Sequence, residues 1–476
     1  MSLHGADPGI EREMDVVVVG GGITGLAAAH RLLGNGPEGL RVVLVEADGA
    51  VGGKIRTRPF RGHPVDDGPD GILDNEVLRD LLGEVTAAPT MVPMARAQPG
   101  IWTKRGIRPL PGGLIGGVPV GPVAVMRSRL LSPLGLARAG LDLVLPPSPL
   151  VDDVSVADLV GRRLGHEVVE RLVGPLVGAV YAGDVGSLSA EAVTPPLFAA
   201  ARRHRSLILS LRRQARSGPA SASGRGLVSF QDGLGSLVDA LARSVGDIVR
   251  TNAPVTAISG EPGAWLVTTP HGRYRAAVII LVTPADVTAR LLQPIQPAAA
   301  ELAQVPYASV GVVTLAYGHD AVDGWPTSSG FLVPASSGRL VTACSWLSVK
   351  WPHTTDAGTL LLRCSVGRSD DERWLGLDDD RLVEAVRGEL AELAGLRGAP
   401  LETRVRRWPR ALPQYRVGHV ASIARVRQAL GPTVLLAGAA FGGIGVTTCI
   451  AQGRAAADAA IDQCAVGARH QKLGSG

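Results

Sequence analysis

Residues 15–20 (DVVVVG), 41–45 (RVVLV) and 277–282 (AVIILV) are unbroken apolar runs rich in β-branched side chains. Runs without polar alternation predict strands buried on both faces. Between the first two, Ile23–Leu33 repeats its apolar positions at helical spacing, with Ala27, Ala28 and Ala29 small enough to pack closely on a sheet. Gly34 and Gly36 then end the helix. This order predicts a strand–helix–strand unit at the start of a parallel sheet. From about residue 88 to 213 the texture changes to amphipathic helical segments broken by proline, at Leu130–Leu145, Val156–Leu164 and Leu197–Leu211. ARSGPASASGRG at 215–226 reads as a loop or linker. Strand patterns return at Val255–Ile258 and Trp265–Thr269 and continue through VGVVTLAY and TLLLRCSV between 306 and 366. An amphipathic helix at Asp378–Leu393, a buried strand at Val434–Ala437 and an alanine-rich helix at Val446–Ile461 complete the pattern. No internal repeat is visible.

At 476 residues the chain is too long for a single core, so two or three domains are expected. With 46% hydrophobic and 19% charged residues it is globular in composition. Forty-eight basic and 43 acidic side chains leave a net charge of +5. That small excess is spread along the chain, which argues against a nucleic-acid partner and suits an anionic small molecule or an acidic membrane surface better. Cys344, Cys364, Cys449 and Cys464 lack metal-ligand spacing and read as reduced, buried, structural thiols of a cytoplasmic protein. The polar start MSLHGADPGIERE has no apolar signal core. The most apolar long stretch, Leu110–Val125, is interrupted by Pro111, Pro119 and Pro122, whereas a spanning helix needs about 20 continuous apolar residues. The expected location is therefore the cytoplasm, with peripheral membrane contact left open.

Chemistry enters with Gly20-Gly21-Gly22-Ile23-Thr24-Gly25, which has the G-x-G-x-x-G spacing between a buried strand and a helix. Gly20 permits the turn, Gly22 lets backbone approach a pyrophosphate, and Gly25 lets the helix sit on the strand. Glu46, 21 positions past Gly25 at the end of the second strand, is placed to accept hydrogen bonds from ribose hydroxyls and disfavours a 2′-phosphate. NADP is thereby excluded as the main ligand, while NAD and FAD remain. At the far end, FGGIGV (441–446) opens the last helix, whose N-terminus carries about half a positive charge. Aimed at the pyrimidine edge of a flavin, it would stabilise the anionic reduced ring. Thr447 and Thr448 can satisfy free N–H groups of that turn. The ten histidines are scattered and read as surface or capping residues, and no Ser/His/Asp or paired-carboxylate constellation stands out.

Several stretches resemble one family. EADGAVGGKIR (46–56), with Lys54 after the two glycines where Arg is usual, is similar to the extended FAD fingerprint of amine oxidase-like flavoproteins. LVGPLVGAVYAGDVGSLSAEA (172–192), FQDGLGSLVDAL (230–241), RRWPRALPQYRVGH (406–419) and LLAGAAFGGIGVTTCIAQGRAAA (435–457) resemble the oxygen-dependent protoporphyrinogen/coproporphyrinogen oxidases, and the bacterial coproporphyrinogen III branch in particular. The PQY-x-VGH string is the most distinctive of these. The resemblance implies an α/β fold: a Rossmann-like GDI/amine oxidase-type FAD-binding domain, discontinuous in sequence, with a mixed α+β substrate domain and an inserted helical domain.

By that resemblance residues 1–14 are a flexible N-terminus. FAD-binding parts occupy 15–87, 214–290 and 405–466, a helical substrate-covering domain 88–213, a substrate-binding domain 291–404, and a flexible tail 467–476. Non-covalent FAD would be held by Gly20, Gly21, Gly22, Ile23, Thr24, Gly25, Glu46, Ala47, Lys54, Gly68, Pro69, Asp70, Gly71, Val255, Trp408, Ile444, Gly445 and Val446. The implied reaction is oxidation of coproporphyrinogen III to coproporphyrin III, with O2 as acceptor and H2O2 as by-product, in haem biosynthesis. No protein side chain is required as acid, base or nucleophile, because the flavin carries the chemistry. Arg202, Arg203 and Arg205 are candidates to grip substrate propionates. Protoporphyrinogen IX oxidation, a more distant amine oxidase or carotenoid desaturase, and a non-catalytic prenyl chaperone on the same fold stay as alternatives. A haem-pathway partner enzyme and the oligomeric state are left open.

Overall fold

A computed structural model describes residues 11–95, 98–146, 152–203, 205–217 and 226–474. The valine run forms the strand Glu11–Val19, in which Val16, Val17 and Val18 are fully buried. It lies parallel between Val42–Val45 and Gly272–Leu281. Val249–Arg250 extends the sheet beyond Val42–Val45 in parallel. On the other side the antiparallel strands Ala264–Thr269 and Ala257–Glu261 follow Gly272–Leu281. Val434–Leu436 also joins Gly272–Leu281 in parallel. Pieces from the beginning, middle and end of the chain thus share one seven-stranded sheet.

Both faces of this sheet are covered, which explains the absence of polar alternation. Val16, Val18, Leu44 and Ile280 pack against helices Ile23–Asn35, Gly235–Val245 and Val446–Gly474. Val17, Val19, Val43 and Ile279 face Ala285–Leu292, Pro297–Gln304 and His419–Leu430 on the other side. Each fully buried side chain of this size contributes about 1.5–3 kcal/mol relative to exposure.

A second seven-stranded sheet runs in the order Glu402–Pro413, Tyr307–Gly318, Thr359–Val366, Val341–Trp346, Gly330–Leu332, Gly100–Thr103, Gly106–Pro109. It is antiparallel except where Gly330–Leu332 meets Gly100–Thr103. Helix Asp379–Ala394, capped by the Asp378 carboxylate, packs on it. Two expected boundaries move as a result. The hairpin 100–109 belongs to this sheet and not to the helical region, and residues 405–413 belong to it and not to the nucleotide-binding part. Both strands are too short or too charged to show an apolar run.

The helical region has its own core. Val156–Leu164 matches expectation, but Leu197–Leu211 is two helices, Pro195–Arg203 and Leu207–Ser217. Fully buried Asp142 causes the break. It accepts from the Ser206 hydroxyl (2.7 Å) and the Ile208 amide (2.9 Å), which starts a new helix, and pairs with buried Arg163 at 2.7 Å. Leu130–Leu145 is likewise shorter than expected, a helix from Pro133 to Gly140 capped by Ser132 and followed by a single tight turn.

Two terminal expectations also change. Glu11 and Arg12 already pair with Arg273 and Tyr274, and the last helix continues to Gly474, so ordered structure enters both 1–14 and 467–476. Residues 1–10, the 218–225 part of the linker, and 475–476 lie outside the described residues. Among the described residues no helix is long and apolar enough to cross a membrane.

Candidate cofactor site

The strand Glu11–Val19 ends at Gly20, whose φ of +112° only glycine adopts readily. A Cβ on Gly25 would lie 2.0 Å from the Gly20 carbonyl oxygen, so the helix can start this close to the turn only without a side chain. Gly22 is the N-cap of that helix and offers no side-chain cap, and the first turn has no acid. Nothing lies within 4 Å of where a Gly22 Cβ would point. The result is an open helix N-terminus with a side-chain-free approach, the geometry that receives a pyrophosphate.

Glu46 sits beside this turn. Its carboxylate accepts from the Gly21 and Asp48 amides, the latter at 2.8 Å. Those bonds fix its orientation and leave further lone-pair positions for hydroxyls. The Glu46 amide donates to Arg250 (2.8 Å) and its carbonyl accepts from Ala253 (2.8 Å), which brings the 249–255 segment, ending in half-buried Val255, alongside. Ala47 is exposed next to it.

The 50–56 loop folds back over the glycine turn through the Gly52 amide and Gly21 carbonyl (2.8 Å). Lys54, two residues on, is accessible yet surrounded by protein. Loss of solvent there lowers its ammonium pKa, with the nearby Cys449 thiol opposing. A Cβ on Gly68 would lie 2.0 Å from the Lys54 carbonyl, so the 66–71 segment presses directly on this loop. The Trp408 indole donates to the Asp67 carbonyl at 2.8 Å and adds the second sheet to the same place.

The closing helix completes the convergence. Gly453 packs on Thr24 so tightly that a Cβ would lie 2.2 Å from the Thr24 carbonyl oxygen. Cys449, whose pKa burial raises, bonds to the Thr24 side chain and faces Lys54. Gly443 (φ +126°) and half-buried Ile444 form the turn into Val446. Glycine turn, Glu46, 50–56 loop, 66–71 segment, Trp408 and the closing helix entry therefore meet around one place. Their composition fits FAD: an uncapped anion site, a fixed carboxylate, a cation in a groove, and a second helix entry for a long ligand to reach.

Two groups beside the 68–71 segment, Lys350 and Arg363, escaped the sequence reading, although their partner Asp70 did not. Asp70 pairs with buried Lys350 at 3.0 Å, with Arg363 at 4.0 Å. Burial alone would raise the Asp70 pKa, but Lys350 and Arg363 overcome it and hold it at about 2. Arg363 also donates to the Gly68 carbonyl. The signal was present in TLLLRCSV, where one arginine interrupts an apolar strand. By contrast, Arg202, Arg203 and Arg205 are exposed. Arg202 lies over the Phe198 ring, and Arg205 donates to the Val144 and Leu145 carbonyls. None of the three is joined to the site by a described contact. Of the four free thiols, Cys344, Cys364 and Cys449 are buried as expected, while Cys464 is only half-buried against the same core as Cys449. A cleft of about 410 Å³ opens beside the 51–64 segment, its walls mixing Arg56, Arg58 and His63 with Asp232 and Asp239.

Fold and site define a flavin oxidoreductase of the amine oxidase type. Residues 23–461 match the family described as flavin containing amine oxidoreductase, which implies FAD. The chain is 34% identical to the coproporphyrinogen III oxidase of Bacillus subtilis, across 94% of this chain and 97% of that protein. It is 30% identical to the Staphylococcus aureus protein of the same name, across 94% and 98%. A crystal structure from Exiguobacterium sp. 255-15, provisionally assigned as a protoporphyrinogen oxidase, superposes with a TM-score of 0.82 at 28% identity, covering 94% of this chain and 98% of that one. The chain belongs to the porphyrinogen oxidase family of flavin containing amine oxidoreductases.

Proposed function

We propose that the protein oxidises coproporphyrinogen III to coproporphyrin III in haem biosynthesis, using non-covalent FAD with O2 as acceptor and H2O2 as by-product. The observation that carries this reading is the meeting of two glycine-entered helix starts, Glu46 and Lys54 in a chain whose full-length relatives bear the coproporphyrinogen III oxidase name. FAD, when bound, supplies the two-electron acceptor that O2 returns to its oxidised form. The helix start at Gly22 and the Lys54 ammonium would hold the pyrophosphate charge, Glu46 would orient a ribose, and the 443–446 turn would add positive dipole. Lys350 and Arg363 bring two cations to Asp70 beside the 68–71 segment, a charged cluster that suits a substrate with carboxylate edges.

Protoporphyrinogen IX is the second reading, favoured by 28% identity to the chloroplastic protoporphyrinogen oxidase of Nicotiana tabacum. Side-by-side turnover of the two porphyrinogens by FAD-loaded protein, followed by porphyrin fluorescence, separates them. Faster turnover of coproporphyrinogen III is expected. Equal or reversed preference would overturn the substrate choice.

A further inference from the structure

The distinctive 413–419 string PQYRVGH touches none of the residues expected to hold FAD by side chain, yet it reaches the turn that opens the closing helix. The Tyr415 hydroxyl donates to the Ala439 carbonyl and accepts from the Gly443 amide at 3.1 Å. Its ring is 1% exposed, stacked on His419 at 4.4 Å and 20°, and met edge-on by Tyr181 at 5.8 Å. The hydroxyl therefore cannot swing to another partner. On both sides of that hydroxyl the string is fastened to the helical region. Gln414 donates to the Tyr181 carbonyl (2.8 Å), the Tyr415 carbonyl accepts from the Ser189 amide (2.8 Å), and the Gly418 amide donates to Asp153 (2.8 Å). A Cβ on Gly183 would lie 2.3 Å from Gln414 Oε1, so helical region and string are in tight contact.

We propose that Tyr415 is a positioning residue that clamps the 439–445 turn against the flavin end of the site and couples it mechanically to the helical region over the substrate. The inference rests on the FAD reading above and adds a device that tunes it. A clamped turn keeps the Gly443–Val446 amides aimed at one place, where they favour a negatively charged reduced ring. A loosened turn weakens that bias while Glu46, Lys54 and the Gly20–Gly25 turn still hold the cofactor.

The test is Tyr415→Phe, which keeps the ring stack and removes the hydroxyl. FAD should remain bound, with a midpoint potential more negative than wild type, flavin reduction by substrate slowed about tenfold, and substrate KM unchanged within about twofold. Gly183→Ala disturbs the string at Gln414, next to Tyr415, without touching the turn and should shift the potential in the same direction. The potential is read with a chemical reductant and needs no porphyrinogen. Wild-type protein unable to hold FAD would end the functional reading itself. Wild-type potential in folded Tyr415→Phe overturns the clamp. Should Tyr415→Phe fail to fold, Gly183→Ala decides alone, and an unmoved potential there overturns the coupling.

Discussion

Replacing Gly453 by alanine sets two effects of opposite sign against each other at a position outside the residues expected to touch the cofactor. Helix propensity favours alanine by up to about 1 kcal/mol. Packing opposes it, because the new Cβ would lie 2.2 Å from the Thr24 carbonyl oxygen and 3.2 Å from the Ala28 amide. Reaching even a 3.0 Å contact requires the closing and opening helices to part by 0.8 Å, the difference between 3.0 and 2.2 Å. Both obstacles are backbone atoms of a buried helix, so no side-chain rotation relieves the clash. Overpacking of this kind costs about 1–3 kcal/mol, and the expected net is a destabilisation of about 1–2 kcal/mol. The same displacement separates Thr24 from Cys449 and draws the two helix starts apart, so FAD affinity should fall at least about tenfold, the equivalent of 1.4 kcal/mol. Thermal unfolding with and without added FAD and a titration following flavin fluorescence measure both quantities. A Gly453→Ala protein with a higher Tm and undiminished FAD affinity would refute the close helix contact as the basis of the site.

Glu46→Ala removes the acceptor of two amides and the expected ribose anchor, so equilibrium FAD binding should weaken by about 10- to 100-fold, in line with charged hydrogen bonds of about 1.5–3 kcal/mol. Asp70→Asn leaves Lys350 and Arg363 without a counter-charge and should cost about 3–5 kcal/mol in denaturant unfolding. Because the folded pKa of Asp70 is about 2 against 3.8 for a free carboxyl, its contribution is complete above about pH 4 and disappears toward pH 2. Wild type should therefore lose stability across that window more steeply than the variant. Asp66 behaves oppositely: burial raises it to about 6, although Thr57 and the Leu234 amide donate to it. The folded state keeps its proton longer, so stability falls as pH rises from about 4 to 6, and Asp66→Asn should flatten that slope in melts recorded across the window.

The parallel core and its crossover helix were legible because both faces of the first sheet are buried, which leaves DVVVVG and AVIILV without polar interruption. The glycine turn was legible because a positive φ at Gly20 and the close approach of Gly25 to the Gly20 carbonyl require glycine at fixed spacing, and Glu46 because it closes the neighbouring strand beside that turn. The second sheet was harder to bound. Its edge strand Glu402–Pro413 carries four arginines that lie over rings or pair with acids, so it has no strand-like apolar rhythm. The helix break at Ser206 depended on Asp142, 64 residues earlier, and no local pattern announces such a cap. Lys350 and Arg363 were missed for the same reason: their partner Asp70 is 280 residues from Lys350. Of the arginines of AARRHRSL, offered as substrate anchors on helical spacing, Arg202 lies over a ring and Arg205 donates to backbone carbonyls, because helical spacing says nothing about which face looks inward.

The most direct measurement is anaerobic mixing of FAD-loaded protein with one equivalent of coproporphyrinogen III while the visible flavin absorbance is recorded, followed by admission of O2. The expected result is bleaching of the flavin with oxidised tetrapyrrole formed in step, then return of the absorbance with release of H2O2. A flavin that stays oxidised in the presence of coproporphyrinogen III, or protein that takes up no FAD at all, would contradict the central claim.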